Sequence, residues 1–179
     1  MMSLPFEGAI PGNLFSTLFA ILTLCALYAL CRLIDLSELE SALAVGVMAV
    51  STVFWSQSIV LEVYTLGSFL FLCVLVCCLR SFKGGDGRWL VAGSFFLGLG
   101  LANHWPGTVT SSLCLLPFLL GKTHALLNVL RRPLLIGGCV LALALGLSPY
   151  LLMFSKSGNP MNMMGDVNSF SDLWLYVSL

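Results

Sequence analysis

Long apolar runs dominate this 179-residue chain and constrain its fold more than any other feature. A helix rises about 1.5 Å per residue, so it needs about 20 apolar residues to cross the roughly 30 Å hydrocarbon core of a bilayer. Six runs approach or reach that length: 13–31, 42–59, 61–79, 88–102, 106–120 and 133–154. They predict an all-α integral membrane protein, a polytopic bundle of about six transmembrane helices that forms one membrane domain over residues 1–179.

The composition excludes an ordinary soluble domain. Hydrophobic residues make up 59% of the chain and charged residues only 9%, whereas a soluble domain has about 25% charged residues. The net charge is zero and no basic patch occurs, so the lipid bilayer is the expected partner and nucleic acid is not. The seven cysteines lie in or beside the apolar runs, which predicts small buried hydrophobes. No cofactor is expected, because no paired-cysteine metal site or glycine-rich phosphate loop occurs, and the need for a divalent metal is left open.

The basic residues predict the orientation of the bundle. If six spans alternate across the membrane, one side receives seven of the eight basic residues and the other receives Lys156 alone. Short cytoplasmic loops are rich in Lys and Arg, so the basic side is predicted to be cytoplasmic. Four pieces then face the outside or lumen, where they can share one site: the N-terminus, the turn near Glu62, the turn 103–105 and a predicted external loop at 155–172.

The fourth and fifth runs are too short for full crossings, and the polar sequence 102–107 separates them. Irregular backbone at membrane depth is tolerated only where protein buries it or where it lines a wet cavity. The sequence therefore predicts a helix break at 102–107 beside a cavity that opens outward.

Glu62 is the one acidic residue embedded in an apolar stretch. A carboxylate at such a place is costly and usually has a function. If the helix is continuous here, Trp55, Ser58 and Glu62 share one face and form the wall of a cavity. The alternative is that Glu62 lies in the wet interface and only caps a turn.

His104 stands between Asn103 and Trp105 at the predicted break. An imidazole, an amide and an aromatic ring together suit a polar ligand. The alternative is a helix-capping role. Metal ligation is poorly supported, because the other histidine, His124, falls on the opposite side of the membrane in the predicted topology.

In the predicted external loop, three methionines indicate that the segment folds back onto the protein. Lys156 is suited to meeting a phosphate and Asp166 a hydroxyl. The alternative for each is an incidental charge on a solvated loop.

Several motifs in order along the chain resemble those of one membrane family: FWSQSIVLEVYTL at 54–66, RWL at 88–90, GLGLANH at 98–104, LSPYL at 147–151, and NPMN at 159–162 followed by GD at 165–166. It is the family of polytopic proteins long called a domain of unknown function in bacteria, whose animal members are protein O-mannosyltransferases. The resemblance spans most of the chain and implies a GT-C-like architecture. Such proteins transfer a sugar, mannose in the animal members, from a polyprenyl-phosphate carrier to a protein or glycan hydroxyl at the external or lumenal face.

The resemblance also implies roles for individual residues. A carboxylate removes the proton of the acceptor hydroxyl, with Glu62 and Asp166 as candidates, and His104 and Lys156 are candidates for stabilising the departing lipid phosphate. The remaining candidates for substrate binding belong to the motifs or stand beside them: Trp55, Gln57, Tyr64, Asn103, Trp105 and Asn162.

Two departures from the family pattern shape the expectation. Family members begin with an earlier span and an external acidic loop, where the principal catalytic carboxylate is expected, and Leu4 resembles the end of that loop. Met163 and Met164 stand where the family tends to have a tryptophan before Gly-Asp. The expectation is therefore a fragment or a shortened member of the family.

Two other function classes stay open. The first is a non-catalytic membrane subunit or lipid-carrier binder, and the second is a transporter that binds a solute or proton at the embedded carboxylate. The motifs favour a bacterial inner membrane, with the endoplasmic reticulum membrane as the alternative, because positive-inside orientation holds for both.

Overall fold

The computed structural model describes residues 6–60, 63–121, 129, 131–152, 169 and 171–172. All of its regular elements are helical within those residues. They are α1 (Phe6–Leu33), α2 (Glu38–Ala49), α3 (Thr52–Ser58), α4 (Val63–Gly84), α5 (Arg88–Leu113), α6 (Leu116–Leu120) and α7 (Pro133–Gly146), followed by a short 3₁₀ helix at Ser148–Tyr150. The predicted all-α class is therefore confirmed.

Three segments are long and apolar enough to cross a membrane: Pro11–Leu33, Val63–Gly84 and Pro133–Tyr150. They agree with the first, third and sixth predicted spans. The second predicted span is a bent pair instead, because α2 and α3 meet at an angle of 68°. The fourth run lies within α5. The fifth run begins in α5 and ends in α6. Six full crossings therefore stay a prediction, while three candidate spans are found.

Local signals explain where the helices begin. Ser37 and Glu40 form a reciprocal capping box at the start of α2, an arrangement that satisfies two otherwise free N–H groups. Pro133 occupies the first turn of α7, where its missing N–H has no helical partner to lose. Asp35 and Gly85 adopt positive φ in the turns before α2 and α5, which lets the chain reverse over a few residues.

α4 packs against both α1 and α5, and α5 in turn packs against α7. α1 and α4 run parallel, because Thr23 Oγ1 donates to the Thr65 carbonyl at 3.3 Å near one end and Lys83 Nζ lies 2.5 Å from Asp35 Oδ2 at the other. Thr17 Oγ1 likewise donates to the Ser58 carbonyl at 3.0 Å. Buried polar bonds thus fix the register of α1, α3 and α4.

α5 and α7 touch backbone to backbone. A methyl group built on Gly98 would lie 2.9 Å from the Cα of Gly146, so only glycine fits at this crossing. Beyond it, the Tyr150 hydroxyl donates to the Leu101 carbonyl at 2.8 Å. α7 therefore runs beside the first part of α5 and ends next to the polar sequence 102–107.

The core is small and most apolar side chains point outward, as expected of a helix bundle in lipid. Only 22% of the 18-residue apolar stretch of α4 is buried, although α4 packs against both α1 and α5. Leu134 of α7 is 93% exposed. The cysteines are all free among the described residues, and the prediction that they are buried is wrong for Cys25 and Cys114, which are exposed.

Candidate functional site

The helix break predicted at 102–107 is confirmed and lies at His104. This residue has φ −159° and ψ 88°, far from helical values, while the residues on both sides are helical. Pro106 stands two residues later, and a proline inside a helix lacks the backbone N–H and clashes with the carbonyl four residues before it. α5 thus consists of a first limb, 88–103, and a second limb, 105–113.

The two limbs fold back on each other. In a straight helix, Gly100 and Thr108 would stand about 12 Å apart along the axis. Here a methyl group on Gly100 would lie 3.1 Å from Thr108 Cγ2. The break is therefore a sharp reversal, which turns the chain back at the end of the bundle where Asn103 and His104 lie.

His104 caps the second limb. Its Nδ1 accepts the Gly107 N–H at 3.1 Å, which satisfies one of the free N–H groups at a helix start. A side chain at position 107 would lie 2.6 Å from that nitrogen, so glycine is required there. Because Nδ1 accepts a hydrogen bond, the neutral imidazole carries its hydrogen on Nε2. The capping alternative is confirmed, and Nε2 stays available as a donor.

Asn103 and Tyr64 join the break to the start of α4. Asn103 Nδ2 donates to the Val63 carbonyl at 2.9 Å. The Tyr64 ring meets the His104 ring edge-on, with 6.1 Å between centroids. Gly67 permits this approach, since a methyl group there would already contact Asn103 Nδ2 at 3.4 Å.

A cavity of about 290 Å³ begins at this junction and continues along α4. We call it the long groove. Tyr64 and His104 line one end, which we call the mouth, and Phe71, Leu72 and Leu27 line the other. Two turns of α4 separate Tyr64 from Phe71, so the groove passes from polar groups to apolar walls over about 10 Å. The other lining residues are Met48, Val63, Gly67, Ser68, Gly107, Thr108 and Ser111.

A second cavity, of about 500 Å³, lies on the other side of Tyr64 between α2, α3 and α4. We call it the side chamber. It shares Met48, Tyr64 and Ser68 with the long groove. Its remaining lining residues are Ser51, Val53, Phe54, Gln57 and Thr65. The lining of both cavities, as far as the structure describes it, contains no Asp, Glu, Lys or Arg.

The charged groups gather at the opposite end of α4. There Lys83 pairs with Asp35, and the Arg80 guanidinium lies 4.6 Å from the centre of the Trp89 ring. A backbone hydrogen bond from Arg88 to Asp86 holds the pKa of the Asp86 carboxyl below its usual value. These charged groups therefore lie at the opposite end of the bundle from the two cavities, which meet at Tyr64.

The structure brings together four of the predicted site residues: Tyr64, Asn103, His104 and, across the side chamber, Gln57. Trp55 is 63% exposed and Trp105 is 40% exposed, and neither lines a cavity. The face proposed for Trp55, Ser58 and Glu62 required a continuous helix, but α3 ends at Ser58. Four candidates lie outside the described residues: Glu62, Lys156, Asn162 and Asp166.

The predicted external loop, 155–172, is described only at 169 and 171–172. Ser169 N donates to Asp172 Oδ2 at 2.9 Å, and Asp172 N donates to Ser169 Oγ at 3.1 Å. This reciprocal pair is typical of a helix start. The extent of the loop and its position relative to the cavities stay predictions.

Apart from Gln57, Tyr64 and His104, sequence reasoning missed the residues that line the cavities. Ser68 and Phe71 follow Tyr64 at helical spacing on one face of α4. That spacing could have identified both as neighbours of Tyr64. Thr65 gave none, because a threonine in an apolar helix is usually a packing residue that bonds its own helix. Among the described residues, no three His, Cys, Asp or Glu side chains come together as a metal site.

The model of one protein family matches the chain. It is described as the protein O-mannosyl-transferase TMEM260 N-terminal domain, and it matches residues 5–126. No curated protein and no solved structure matches. The matched segment includes every described residue that lines the long groove and the side chamber, and it ends before Lys156, Asn162 and Asp166.

Proposed function

Because this chain belongs to the family of the protein O-mannosyl-transferase TMEM260 N-terminal domain, we propose that it is part of a membrane glycosyltransferase. The donor is a polyprenyl-phosphate sugar, with mannose as the first candidate, and the acceptor is a protein or glycan hydroxyl at the external or lumenal face. The GT-C-like architecture is part of the same proposal.

The long groove is the observation that carries this proposal. A polyprenyl-phosphate sugar has a polar head and a long apolar tail, and a site for it needs a polar mouth that continues into apolar walls. The long groove has both, with the His104 imidazole at the mouth and Phe71 and Leu72 at the other end. An imidazole N–H is a suitable hydrogen-bond donor to the phosphate oxygen that leaves with the lipid.

In the proposed reaction, the acceptor oxygen bonds to the anomeric carbon of the sugar as the bond from that carbon to the phosphate oxygen breaks. The hydroxyl proton goes to a carboxylate, and the polyprenyl phosphate leaves with the electron pair. Glu62 and Asp166 are the proposed bases in this chain, and Lys156 is a second proposed partner of the phosphate. Trp55, Trp105 and Asn162 are proposed to contact the sugar or the carrier. No cofactor is proposed.

A direct assay tests the proposal. Full-length protein in detergent is incubated with polyprenyl-phosphate mannose labelled in the sugar and with a hydroxyl-bearing acceptor peptide, and both labelled peptide and free polyprenyl phosphate are measured. The proposal expects both products in equal amounts. A protein that neither binds nor consumes the donor overturns it.

A second function, binding of the lipid carrier without transfer, is favoured by one specific observation. No carboxylate lines either cavity among the described residues, so the described walls supply binding groups but no carboxylate base. The same assay separates the two functions. Donor binding without release of polyprenyl phosphate, in the wild type and in Glu62→Gln alike, supports the carrier binder.

A further inference from the structure

Two residues that line the side chamber each carry a buried polar atom that lacks a partner. Gln57 Oε1 and Thr65 Oγ1 are both shielded from solvent and have no hydrogen-bond partner within the described part of the chain. Thr65 is 2% exposed, and both residues line the chamber. An unsatisfied buried polar atom is costly, so such atoms in a native fold call for an explanation.

Ordinary helix packing does not provide the partners. The Ser58 hydroxyl, for comparison, bonds a carbonyl of its own helix, that of Trp55, at 2.7 Å. The Thr65 carbonyl already accepts from Thr23, yet the Thr65 hydroxyl stays unpaired. The two groups therefore have hydrogen-bonding capacity that the described fold does not use.

The chamber is large enough for a ligand. Its volume of about 500 Å³ falls within the range of about 300–1,000 Å³ that small-molecule sites occupy, and it far exceeds the space of a single bridging water. The hydroxyls of Ser51 and Ser68 add two more groups that can donate or accept. The Tyr64 ring forms the wall shared with the long groove, and an aromatic face suits the apolar side of a sugar ring.

The chemistry of the walls selects the kind of ligand. A carboxamide oxygen accepts hydrogen bonds, so the group that satisfies Gln57 Oε1 must donate one. An ionised phosphate diester offers no donor, whereas sugar hydroxyls donate and accept. With no charged side chain in the described lining, a neutral group enters without an unpaired charge being buried.

We propose that the side chamber is the sugar subsite of the donor, and that the side chains of Gln57 and Thr65, whose unpaired polar atoms are shielded from solvent, turn on binding to meet the sugar hydroxyls. The carrier lipid occupies the long groove, and Tyr64 stands between the two parts of the molecule. Thr65 is thereby assigned a role in specificity that its place in an apolar helix does not suggest. This inference rests on the proposed function, because it divides one donor between two connected cavities.

Binding of two ligands tests the inference. Full-length protein in detergent is titrated with bare polyprenyl phosphate and with polyprenyl-phosphate mannose of the same chain length. The variants are Gln57→Met and Thr65→Val, which remove the polar atoms and keep the volume. The matched control is Thr110→Val, whose hydroxyl bonds the Pro106 carbonyl at 2.8 Å and lines neither cavity.

The wild type is expected to bind the mannose-bearing carrier more tightly than the bare one. Each of the two variants is expected to weaken binding of the mannose-bearing carrier by about fivefold to tenfold and to change binding of the bare carrier by less than about twofold. Thr110→Val is expected to change neither. Thermal unfolding of both variants should match or exceed that of the wild type, because the atoms removed have no partner to lose.

The outcomes separate this inference from the function on which it rests. If the wild type binds both carriers equally, or if the variants weaken both equally, the sugar subsite is overturned while the carrier site stands. If the wild type binds neither carrier, the proposed function fails, and the subsite fails with it.

Discussion

The side-chain amide of Asn103 donates a hydrogen bond to the Val63 carbonyl across 2.9 Å and thereby joins the break in α5 to the first turn of α4. These residues are 40 positions apart in the chain. The bond sets the position of the mouth of the long groove, because Tyr64 follows Val63 and His104 follows Asn103.

Replacing Asn103 is expected to loosen this junction in a graded way. Asn103→Ala removes the donor and should lower the free energy of unfolding by about 1 kcal/mol. Asn103→Asp places a carboxylate against a carbonyl oxygen and should cost more than alanine, because two acceptors then face each other. Thermal unfolding in detergent, followed by tryptophan fluorescence, measures the order. An aspartate variant as stable as the wild type would contradict the assigned bond.

The two roles of His104 are separable by substitution. Asparagine is a good N-cap residue and alanine a poor one, so His104→Asn should keep wild-type stability while His104→Ala should lose about 0.5–2 kcal/mol. Neither variant offers the Nε2 hydrogen at the groove mouth, so both should bind polyprenyl phosphate more weakly. Stability and carrier binding are measured on the same preparations. Full carrier binding by His104→Asn would show that the imidazole only caps the helix.

The crossing of α5 and α7 should tolerate no side chain. Gly98→Ala forces the helices apart and is expected to destabilise the protein by about 1–3 kcal/mol. Gly137→Ala, on the same helix as Gly146, is the matched control, since an added methyl group there meets nothing within 4 Å. It should leave the melting temperature unchanged or raise it, because alanine favours helix. Equal melting temperatures for the two variants would disprove the close packing.

The charged end of the bundle is expected to face the cytoplasm. Gly84→Cys at that end should react with a membrane-impermeant maleimide only in opened or inverted vesicles, whereas Val60→Cys, in the turn after α3, should react in sealed right-side-out vesicles. The background carries Cys25→Ser and Cys114→Ser, which removes the exposed native thiols. Gly84 is suitable because an added side chain meets nothing within 4 Å. The reverse labelling pattern would place the cavities on the cytoplasmic side.

The sequence predicted the positions of the long helices better than the bends between helices. Apolar length alone located α1, α4 and α7, because a helix in lipid must satisfy its own backbone over a fixed thickness. The polar sequence 102–107 located the break at His104 for the same reason. The bend of 68° between α2 and α3 was not predicted, because Val50 and Ser51 carry no proline or glycine signal and the apolar run continues through them.

The site was predicted only where chemistry interrupts the apolar pattern. Asn103, His104 and Tyr64 come together as the topology required. The pairing of Asn103 with Val63 and the unpaired hydroxyl of Thr65 depend on the register between helices, which no local pattern encodes. Exposure of Trp55 has the same cause, since a single helix does not show which of its faces meets a neighbour.

The most direct test of the account is where a polyprenyl phosphate carrier lies. A photoreactive polyprenyl phosphate is bound to the full-length protein in detergent and crosslinked, and the labelled residues are mapped by mass spectrometry with and without excess unlabelled carrier. The account predicts competed crosslinks at Phe71 and Leu72 in the long groove and uncompeted ones at Leu134 on the outer face of α7. Competed labelling confined to outward-facing residues such as Leu134, with none in the groove, would contradict it.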